Sequence, residues 1–255
     1  EESNTDPGLF TFDKKMYYSF DNVQVNDMLI TESSICQSIY KKLESAIIKR
    51  LDCDRDIACF LSGGIDSSIV CAITQKYLSE HKNIKLKTYA VGFEGSTDLH
   101  SAQIVADHIK SEHKTLKLEY TLDTILPTLK ELIGFIETFD ITTVRASFGM
   151  YLLSKYIKEN TEDTVILSGE GSDEVFGSYL YFHDAPDNIS FDKECKRLIK
   201  QLPYFDVLRA DRCTAANSLE LRVPFLDYNF VNEVLSIPSR SEEHTSELQS
   251  PCNLV

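Results

Sequence analysis

A glycine-rich turn that follows a short apolar run constrains the fold of this chain more than any other feature. Residues 57–61 have the composition of a buried strand and lead directly into Ser62, Gly63 and Gly64. A helical pattern begins near Asp66, with an apolar stripe on one face. Backbone N–H groups and the positive end of the helix dipole meet at such a turn, and glycine lets an anion approach the main chain. The sequence therefore predicts a phosphate-binding loop between a strand and a helix.

The side chains of this turn separate it from the two commoner nucleotide loops. No lysine follows the glycines, as G-x-x-x-x-G-K-[ST] requires, and the spacing does not fit G-x-G-x-x-G. Ser62, Ser67 and Ser68 offer hydroxyl donors instead, and Asp66 offers a carboxylate that suits a metal ion. The alternative is a serine-rich turn that Asp66 caps.

Strand and helix patterns alternate along much of the chain. Strand patterns cover residues 57–61, 86–91, 113–118 and 165–167, and helix patterns cover residues 31–50, 98–109, 122–137 and 146–158. Residues 191–221 are expected to be helical and to pack beside the sheet. The alternation predicts an α/β fold, a doubly wound parallel sheet with flanking helices and a helical C-terminal part. Ligands of such sheets bind past the carboxyl ends of the strands.

Composition argues against several classes of partner. The formal net charge of −14 disfavours a nucleic-acid groove and an anionic membrane surface. No stretch approaches the ~20 apolar residues of a transmembrane helix, and the first residues lack the apolar region of a signal peptide. The seven cysteines include no C-x-x-C pair, which disfavours a zinc or redox site. We expect a reduced, cytosolic protein that binds neither nucleic acid nor membranes.

A second glycine turn, Ser168-Gly169-Glu170-Gly171, ends the last strand pattern, and Asp173 follows it. Because the carboxyl ends of parallel strands lie at one edge of a sheet, the two turns should share one crevice. Asp66 and Asp173 are then predicted to bind Mg²⁺ beside a polyphosphate. Glu170, close to other carboxylates, is predicted to have a raised pKa and to act as a base. Alternatively, these acids only cap the helix that begins near Ser172.

Two further polar groups have both a functional and a structural interpretation. Thr142 and Arg145 precede a predicted helix, and a hydroxyl and a guanidinium suit a phosphate or a carboxylate. The alternative is a capping threonine beside a surface arginine. Arg222 is expected to hold Glu220 or Asp227 in a structural role. The histidines are scattered singly, without the spacing of metal ligands.

Six blocks of the sequence occur together in one family. They are Leu61-Ser-Gly-Gly-Ile-Asp-Ser-Ser68, Ala90-Val-Gly92, Phe139-Asp-Ile-Thr-Thr-Val-Arg-Ala-Ser147, Ser168-Gly-Glu-Gly-Ser-Asp-Glu-Val-Phe-Gly177, Tyr179-Leu-Tyr-Phe-His183, and Leu208-Arg-Ala-Asp-Arg212 through Glu220-Leu-Arg-Val-Pro-Phe-Leu-Asp227. With these blocks the chain resembles the synthetase domain of glutamine-hydrolysing asparagine synthetase over about residues 21–238. The first block alone would indicate only the ATP pyrophosphatase class. The S-G-E-G-S-D-E and R-V-P-F-L-D blocks together narrow the resemblance to this family.

The resemblance implies a PP-loop fold of the adenine nucleotide alpha hydrolase type and a two-step reaction. ATP would adenylate the side chain of L-aspartate and release pyrophosphate, and ammonia would convert β-aspartyl-AMP to L-asparagine and AMP. Glu170 would be the base of the ammonia step, Asp173 a metal or pyrophosphate partner, and Thr142 and Arg145 would orient the adenylate or the phosphates. The residues implied in ATP and pyrophosphate binding are Phe60, Leu61, Ser62, Gly63, Gly64, Asp66, Ser67, Ser68, Val91, Ser168 and Gly169.

The chain departs from the family pattern at both ends. Family members begin with a cysteine nucleophile in a glutaminase domain that releases ammonia from L-glutamine, whereas residue 1 is Glu. Residues 1–20, which include a possible hairpin, are expected to be the remnant of that domain, so this chain should not hydrolyse glutamine. Residues 21–239 are expected to form the asparagine synthetase domain, and the chain does not reach the family's lysine-containing phosphate segment. Residues 240–255 lose the apolar periodicity and are interpreted as a non-native tail, with a genuine polar tail as the alternative.

Two other functions and the assembly stay open at this point. Another PP-loop enzyme would keep the adenylation and change the acceptor, as GMP synthetase, NAD synthetase, β-lactam synthetase and tRNA-thiolating enzymes do. The acidic balance and the missing C-x-x-C pair weigh against tRNA thiolation. A nucleotide-binding pseudoenzyme would be favoured if the lysine segment were absent from the gene. A homodimer is an open possibility for the assembly.

Overall fold

The computed structural model describes residues 15, 18–24, 31–119 and 121–238. The expected remnant at 1–20 and its hairpin lie mostly outside these residues, and the tail at 240–255 lies wholly outside them. Within the described residues one parallel sheet has the strand order β3-β2-β1-β4-β5. Its strands are β1 Ile57–Phe60, β2 Lys87–Phe93, β3 Glu112–Leu118, β4 Val165–Leu167 and β5 Glu220–Arg222.

Helices connect these strands and cover both faces of the sheet. Their bounds are α1 Glu32–Lys49, α2 Ile65–His81, α3 Thr97–Ile109, α4 Leu122–Ile136, α5 Ile141–Asn160, α6 Ser172–Phe176, α7 Asn188–Gln201, α8 Asp206–Ala215 and α9 Tyr228–Leu235. Among the described helices, none combines the length and the apolar character that crossing a membrane requires.

Alternate side chains of β1 belong to two hydrophobic cores, one on each face of the sheet. Ile57 and Cys59 pack with the apolar faces of α1, α2, α3 and α9 on one side. Ala58 and Phe60 pack with Leu153 and other residues of α5 on the opposite side. The predicted doubly wound parallel sheet with flanking helices is therefore confirmed. Because the strand order reverses between β1 and β4, a crevice opens at the carboxyl ends of these two strands.

Two expectations from the sequence are wrong in their bounds. The C-terminal part is not entirely helical, because residues 220–222 form β5, the edge strand that pairs with β4. The helix expected from residue 146 begins at Ile141, because the Asp140 carboxylate caps it by accepting a hydrogen bond of 2.7 Å from the Thr143 amide. Pro127 lies inside α4, where its missing amide interrupts the helix hydrogen bonding.

The buried Asp227 carboxylate joins the end of α1 to the start of α9. Its Oδ2 accepts hydrogen bonds from Lys49 Nζ at 3.1 Å and from Arg50 Nη1 at 3.0 Å, and its Oδ1 accepts one from the Asn229 amide. Burial raises the pKa of Asp227, but the bonds from Arg50 and Lys49 outweigh burial and hold the pKa below its ordinary value. Arg222, by contrast, pairs with Glu220 and donates to the carbonyl of Arg50, which fits the expected structural role.

We expect Asp227→Asn to lower the free energy of unfolding by about 1.5–3 kcal/mol at pH 7, because the buried position loses a charged acceptor for the half-buried Arg50 and the exposed Lys49. A carboxyl with a lowered pKa stabilises the fold above its unfolded pKa and loses this effect as the pH falls through the folded value. The difference between variant and wild type should therefore be smaller at about pH 3, below the ordinary aspartate pKa of about 3.9, than at pH 7. Urea denaturation at both pH values tests this, with the exposed Asp211→Asn as the control. An equal difference at both pH values would contradict it.

Candidate active site

The turn between β1 and α2 is built around two glycines with different tasks. Gly63 has φ +87°, and a Cβ there would approach the Ala102 amide nitrogen at 2.5 Å, so a side chain fits neither the backbone nor the space. Gly64 is the N-cap of α2 and provides no side-chain cap. The amides of the first helical turn therefore remain available to an anion.

The serine hydroxyls of this turn hold the turn itself. Ser62 Oγ and Ser67 Oγ lie 2.9 Å apart, and Ser67 Oγ accepts a hydrogen bond from the Ser62 amide. Ser68 Oγ donates to the Gly64 carbonyl at 2.6 Å. Ser68 faces an apolar groove between α2 and α3, away from the crevice. The main-chain amides are thus better placed than the Ser68 hydroxyl to receive a phosphate.

The second glycine turn lies directly against the first. A Cβ on Gly169 would come within 2.8 Å of the Ser67 amide nitrogen and 3.0 Å of the Asp66 carbonyl carbon. Ser172 Oγ, at the start of α6, donates a hydrogen bond of 2.8 Å to Asp66 Oδ1. The structure therefore places both turns in one crevice at the carboxyl ends of β1 and β4.

A cavity of about 410 Å³ occupies this crevice and has two chemically different halves. One half is mainly apolar and lies between the sheet and α5. It is lined by Phe60, Leu61, Tyr89, Ala90, Val91, Met150 and Leu153. The other half is acidic, and it is lined by Asp66, Glu170, Asp173, Glu174 and Asp206. Such a cavity suits a ligand with a flat apolar end and a charged end.

Most of the predicted site residues line this cavity, and four do not. Those that line it are Phe60, Leu61, Ser62, Gly64, Asp66, Ser67, Val91, Ser168, Gly169, Glu170 and Asp173. Gly63 packs against α3 and Ser68 faces the other groove. Thr142 and Arg145 lie in the first turns of α5, not before it, and both are exposed. Their place in the site stays a prediction.

Glu170 forms an ion pair with Arg209, a residue that the sequence patterns did not identify as part of the site. Arg209 Nη2 donates to Glu170 Oε2 at 3.1 Å, and the same nitrogen donates to Asp206 Oδ1 at 3.0 Å. Burial raises the pKa of Glu170 above its ordinary value, the nearby Arg209 guanidinium lowers it, and the carboxylates of Asp206 and Asp173 raise it again. The net effect is upward, so this carboxyl takes up a proton at a higher pH than a free glutamate.

Three other acids of the cavity, Asp66, Asp173 and Glu174, accept hydrogen bonds from hydroxyl groups. The Tyr179 hydroxyl donates to Glu174, and the Ser178 hydroxyl donates to Asp173. Burial raises the pKa of Asp66 and of Glu174, and the hydrogen bonds that each accepts reduce this effect. Repulsion by Asp173 raises both pKa values further, and Asp206 adds to this effect at Glu174. A bound cation would relieve this repulsion.

One local signal in the sequence could have identified Arg209. Residues 206 and 209 are three apart, the spacing of an ion pair on a helix, and Arg209 lies on the buried side of α8 beside Ala210 and Cys213. An arginine on the apolar face of a predicted helix needs a partner, and Asp206 is the local one. The contact with Glu170 spans 39 residues of chain and has no local signal.

Comparisons with known proteins match most of this chain to one family. Residues 38–194 and 186–244 match the family model described as asparagine synthase. The glutamine-hydrolysing asparagine synthetases of Pongo abelii and Homo sapiens are each 47% identical to this chain over 227 residues, which are 89% of the chain and 40% of the relative. The chain thus spans about 40% of the length of these relatives.

Among solved structures, the U34-tRNA thiolase NcsA from Methanococcus maripaludis matches with a TM-score of 0.42 and 16% identity over 86% of this chain and 77% of that one. The residues matched by the family model include both glycine turns, the acidic residues of the cavity and Arg209. On the extent of the sequence matches, the chain belongs to the asparagine synthase family.

Proposed function

We propose that this chain binds ATP and L-aspartate in the cavity and catalyses the synthesis of L-asparagine through β-aspartyl-AMP. The observation that carries the proposal is the contact of the two glycine turns, which joins an apolar half and an acidic half in one cavity. The apolar half, between Phe60 and Val91, suits adenine. The N-terminus of α2, which has no side-chain cap, suits the departing pyrophosphate.

The reaction needs two displacements, and the cavity has groups for each. In the first, a side-chain oxygen of aspartate attacks the α-phosphorus of ATP, and pyrophosphate leaves toward the turn at Gly63 and Gly64. In the second, ammonia attacks the acyl carbon, the bond from that carbon to the AMP oxygen breaks, and Glu170 accepts a proton from the nitrogen. The Glu170 carboxyl is partly buried beside Arg209, whose positive charge stabilises the charged carboxylate.

The residues present fit Mg²⁺ as a partner of the phosphates. Asp66 and Asp173 both line the acidic half, and each uses only one oxygen in the hydrogen bonds described above. No three histidine, cysteine, aspartate or glutamate side chains of the described residues are arranged so that they could hold one metal ion by themselves. One or two carboxylates together with substrate phosphates is the usual mode for Mg²⁺, which would neutralise charge on the leaving pyrophosphate.

Asp66→Asn tests this role of the metal. We expect an increase of about tenfold or more in the Mg²⁺ concentration needed for half-maximal adenylation, because a neutral amide is a weaker ligand than a carboxylate. Aspartate-dependent exchange of pyrophosphate into ATP measures adenylation alone. The exposed Asp98→Asn, on α3, is the control. An unchanged Mg²⁺ dependence would remove Asp66 from the metal site.

One incubation tests the proposed function as a whole. The full chain is supplied with ATP, Mg²⁺, aspartate and ammonium, and the products are separated. We expect AMP, pyrophosphate and asparagine in equal amounts. Formation of ADP would contradict adenylation, and turnover without aspartate would contradict the substrate. AMP formation with another acceptor would place the chain among the other PP-loop enzymes.

The wider assignments follow from the relatives and are proposals of the same kind. The relatives are named glutamine-hydrolysing, so we propose that ammonia reaches this site from L-glutamine through a glutaminase domain of the whole protein. Arg145 and Thr142 are proposed to contact the phosphates or the adenylate. We also propose a cytosolic enzyme, and leave the homodimer as an expectation.

A further inference from the structure

Arg209 has a fixed position in the site because Asp206 holds it through two of its nitrogens. Its Nε donates to Asp206 Oδ1 at 3.2 Å and its Nη2 donates to the same oxygen at 3.0 Å. The two residues lie three apart in the first turns of α8. Arg209 is 8% exposed, so its guanidinium has little room for another position.

The same guanidinium selects one oxygen of Glu170. Nη2 of Arg209 donates to Oε2 at 3.1 Å, and no side chain in the described ranges pairs with Oε1. Oε1 is therefore the oxygen that remains for a ligand in the cavity. When a planar donor holds one oxygen of a carboxylate, the direction of the second oxygen is also defined.

The charge balance makes this contact necessary. Among the described residues that line the cavity, Arg209 is the one cation and faces five carboxylates. Without Arg209, repulsion by Asp173 and Asp206 would favour movement of the Glu170 side chain out of the cavity. Asp206 in turn binds Arg209 and keeps its guanidinium from turning wholly toward Glu170.

We propose that Asp206 and Arg209 are positioning residues for the ammonia step, with Asp206 fixing Arg209 and Arg209 fixing the direction of Glu170. This inference rests on the proposed function. It assigns neither residue a contact with substrate. It requires that the pair act through Glu170, and that adenylation depend on it much less than amide formation.

Asp206→Asn and Arg209→Lys test the proposal in the full chain. Each keeps a polar side chain of similar size, but the first loses the charge that holds Arg209 and the second loses the fork that reaches both carboxylates. We expect amide formation to fall about tenfold or more in kcat, and aspartate-dependent pyrophosphate exchange to fall less than about threefold. Arg212→Lys is the matched control, since Arg212 lies on the same helix and pairs with Glu137 outside the cavity.

A double variant separates positioning from a direct role. If Asp206 acts through Glu170, then adding Asp206→Asn to Glu170→Gln should leave amide formation within about twofold of Glu170→Gln alone. Additive losses would overturn the proposal, as would equal losses of exchange and amide formation in Asp206→Asn. Melting temperatures of all variants identify any that fail to fold.

Crystal structures give a readout that needs no activity. The Glu170 carboxylate should occupy one position in the wild type and a displaced or divided position in Asp206→Asn. An unchanged Glu170 in that variant would overturn the positioning role. A wild type that shows neither exchange nor amide formation would contradict the proposed function, and the structures would still decide the positioning.

Discussion

Glu170→Gln is expected to lower the rate of asparagine formation by about 10²–10⁴-fold and to leave adenylation within about threefold of wild type. Glutamine has the shape of glutamate and keeps an oxygen that Arg209 can reach, but it cannot accept a proton from ammonia. Adenylation involves no proton transfer at this position. Aspartate-dependent pyrophosphate exchange measures the first step, and asparagine formation from ammonium measures both.

The pH dependence gives this prediction a second test. Below the pKa of Glu170 the carboxyl is protonated and cannot act as a base, and burial raises that pKa above its ordinary value. Wild-type asparagine formation should therefore fall, as the pH decreases, at a pH above the usual glutamate range of about 4.3. The measurement is made at constant free ammonia, and the residual activity of Glu170→Gln should lack this decrease.

The control for Glu170→Gln is Glu131→Gln, which changes an exposed carboxylate that pairs with Lys155 on the surface. It should alter neither step, because the median worth of a surface ion pair is under about 1 kcal/mol. Equal loss of exchange and asparagine formation in Glu170→Gln would reject its assignment to the second step. Such a result would instead place Glu170 in ATP or aspartate binding.

Local sequence patterns were sufficient to predict four of the five strands in the described residues, the two glycine turns and the crevice. The turn at Gly63 follows from a strand, two glycines and a helix start within ten residues, and its φ of +87° explains why glycine stands there. The location of the second turn followed from the same logic. Both depend on neighbours in sequence, which patterns report well.

The remaining parts depend on helix phase and on contacts between distant residues. Ser67 and Ser68 are adjacent and lie about 100° apart on a helix, so their side chains point in different directions. Ser67 lines the crevice and Ser68 lines the other groove. β5 is only three residues long and depends on its distant partner β4. The pairing of Glu170 with Arg209 likewise depends on how α8 packs. Residue type alone could not indicate these relationships.

Because the two glycine turns pack closely in the site, we expect Gly169→Ala to have a large effect on adenylation. A Cβ at this position would lie 2.8 Å from the Ser67 amide nitrogen and 3.0 Å from the Asp66 carbonyl carbon, and neither backbone atom can rotate away. The two turns must therefore separate by several tenths of an ångström. We expect adenylation to fall by about 10²-fold or more, because small misplacements of reacting groups have effects of this size.

Gly134→Ala is the matched control for Gly169→Ala. Gly134 lies on the exposed side of α4, and no described atom beyond its own stretch of helix lies within 4 Å of the point that an alanine methyl group would occupy. Alanine should therefore leave both steps intact. It should also raise the free energy of unfolding by about 0.5–1 kcal/mol, because alanine favours a helix. If Gly169→Ala keeps wild-type exchange at an unchanged melting temperature, then close contact of the two turns is not required for adenylation. If it loses exchange but keeps its melting temperature, the contact serves the reaction and not the fold.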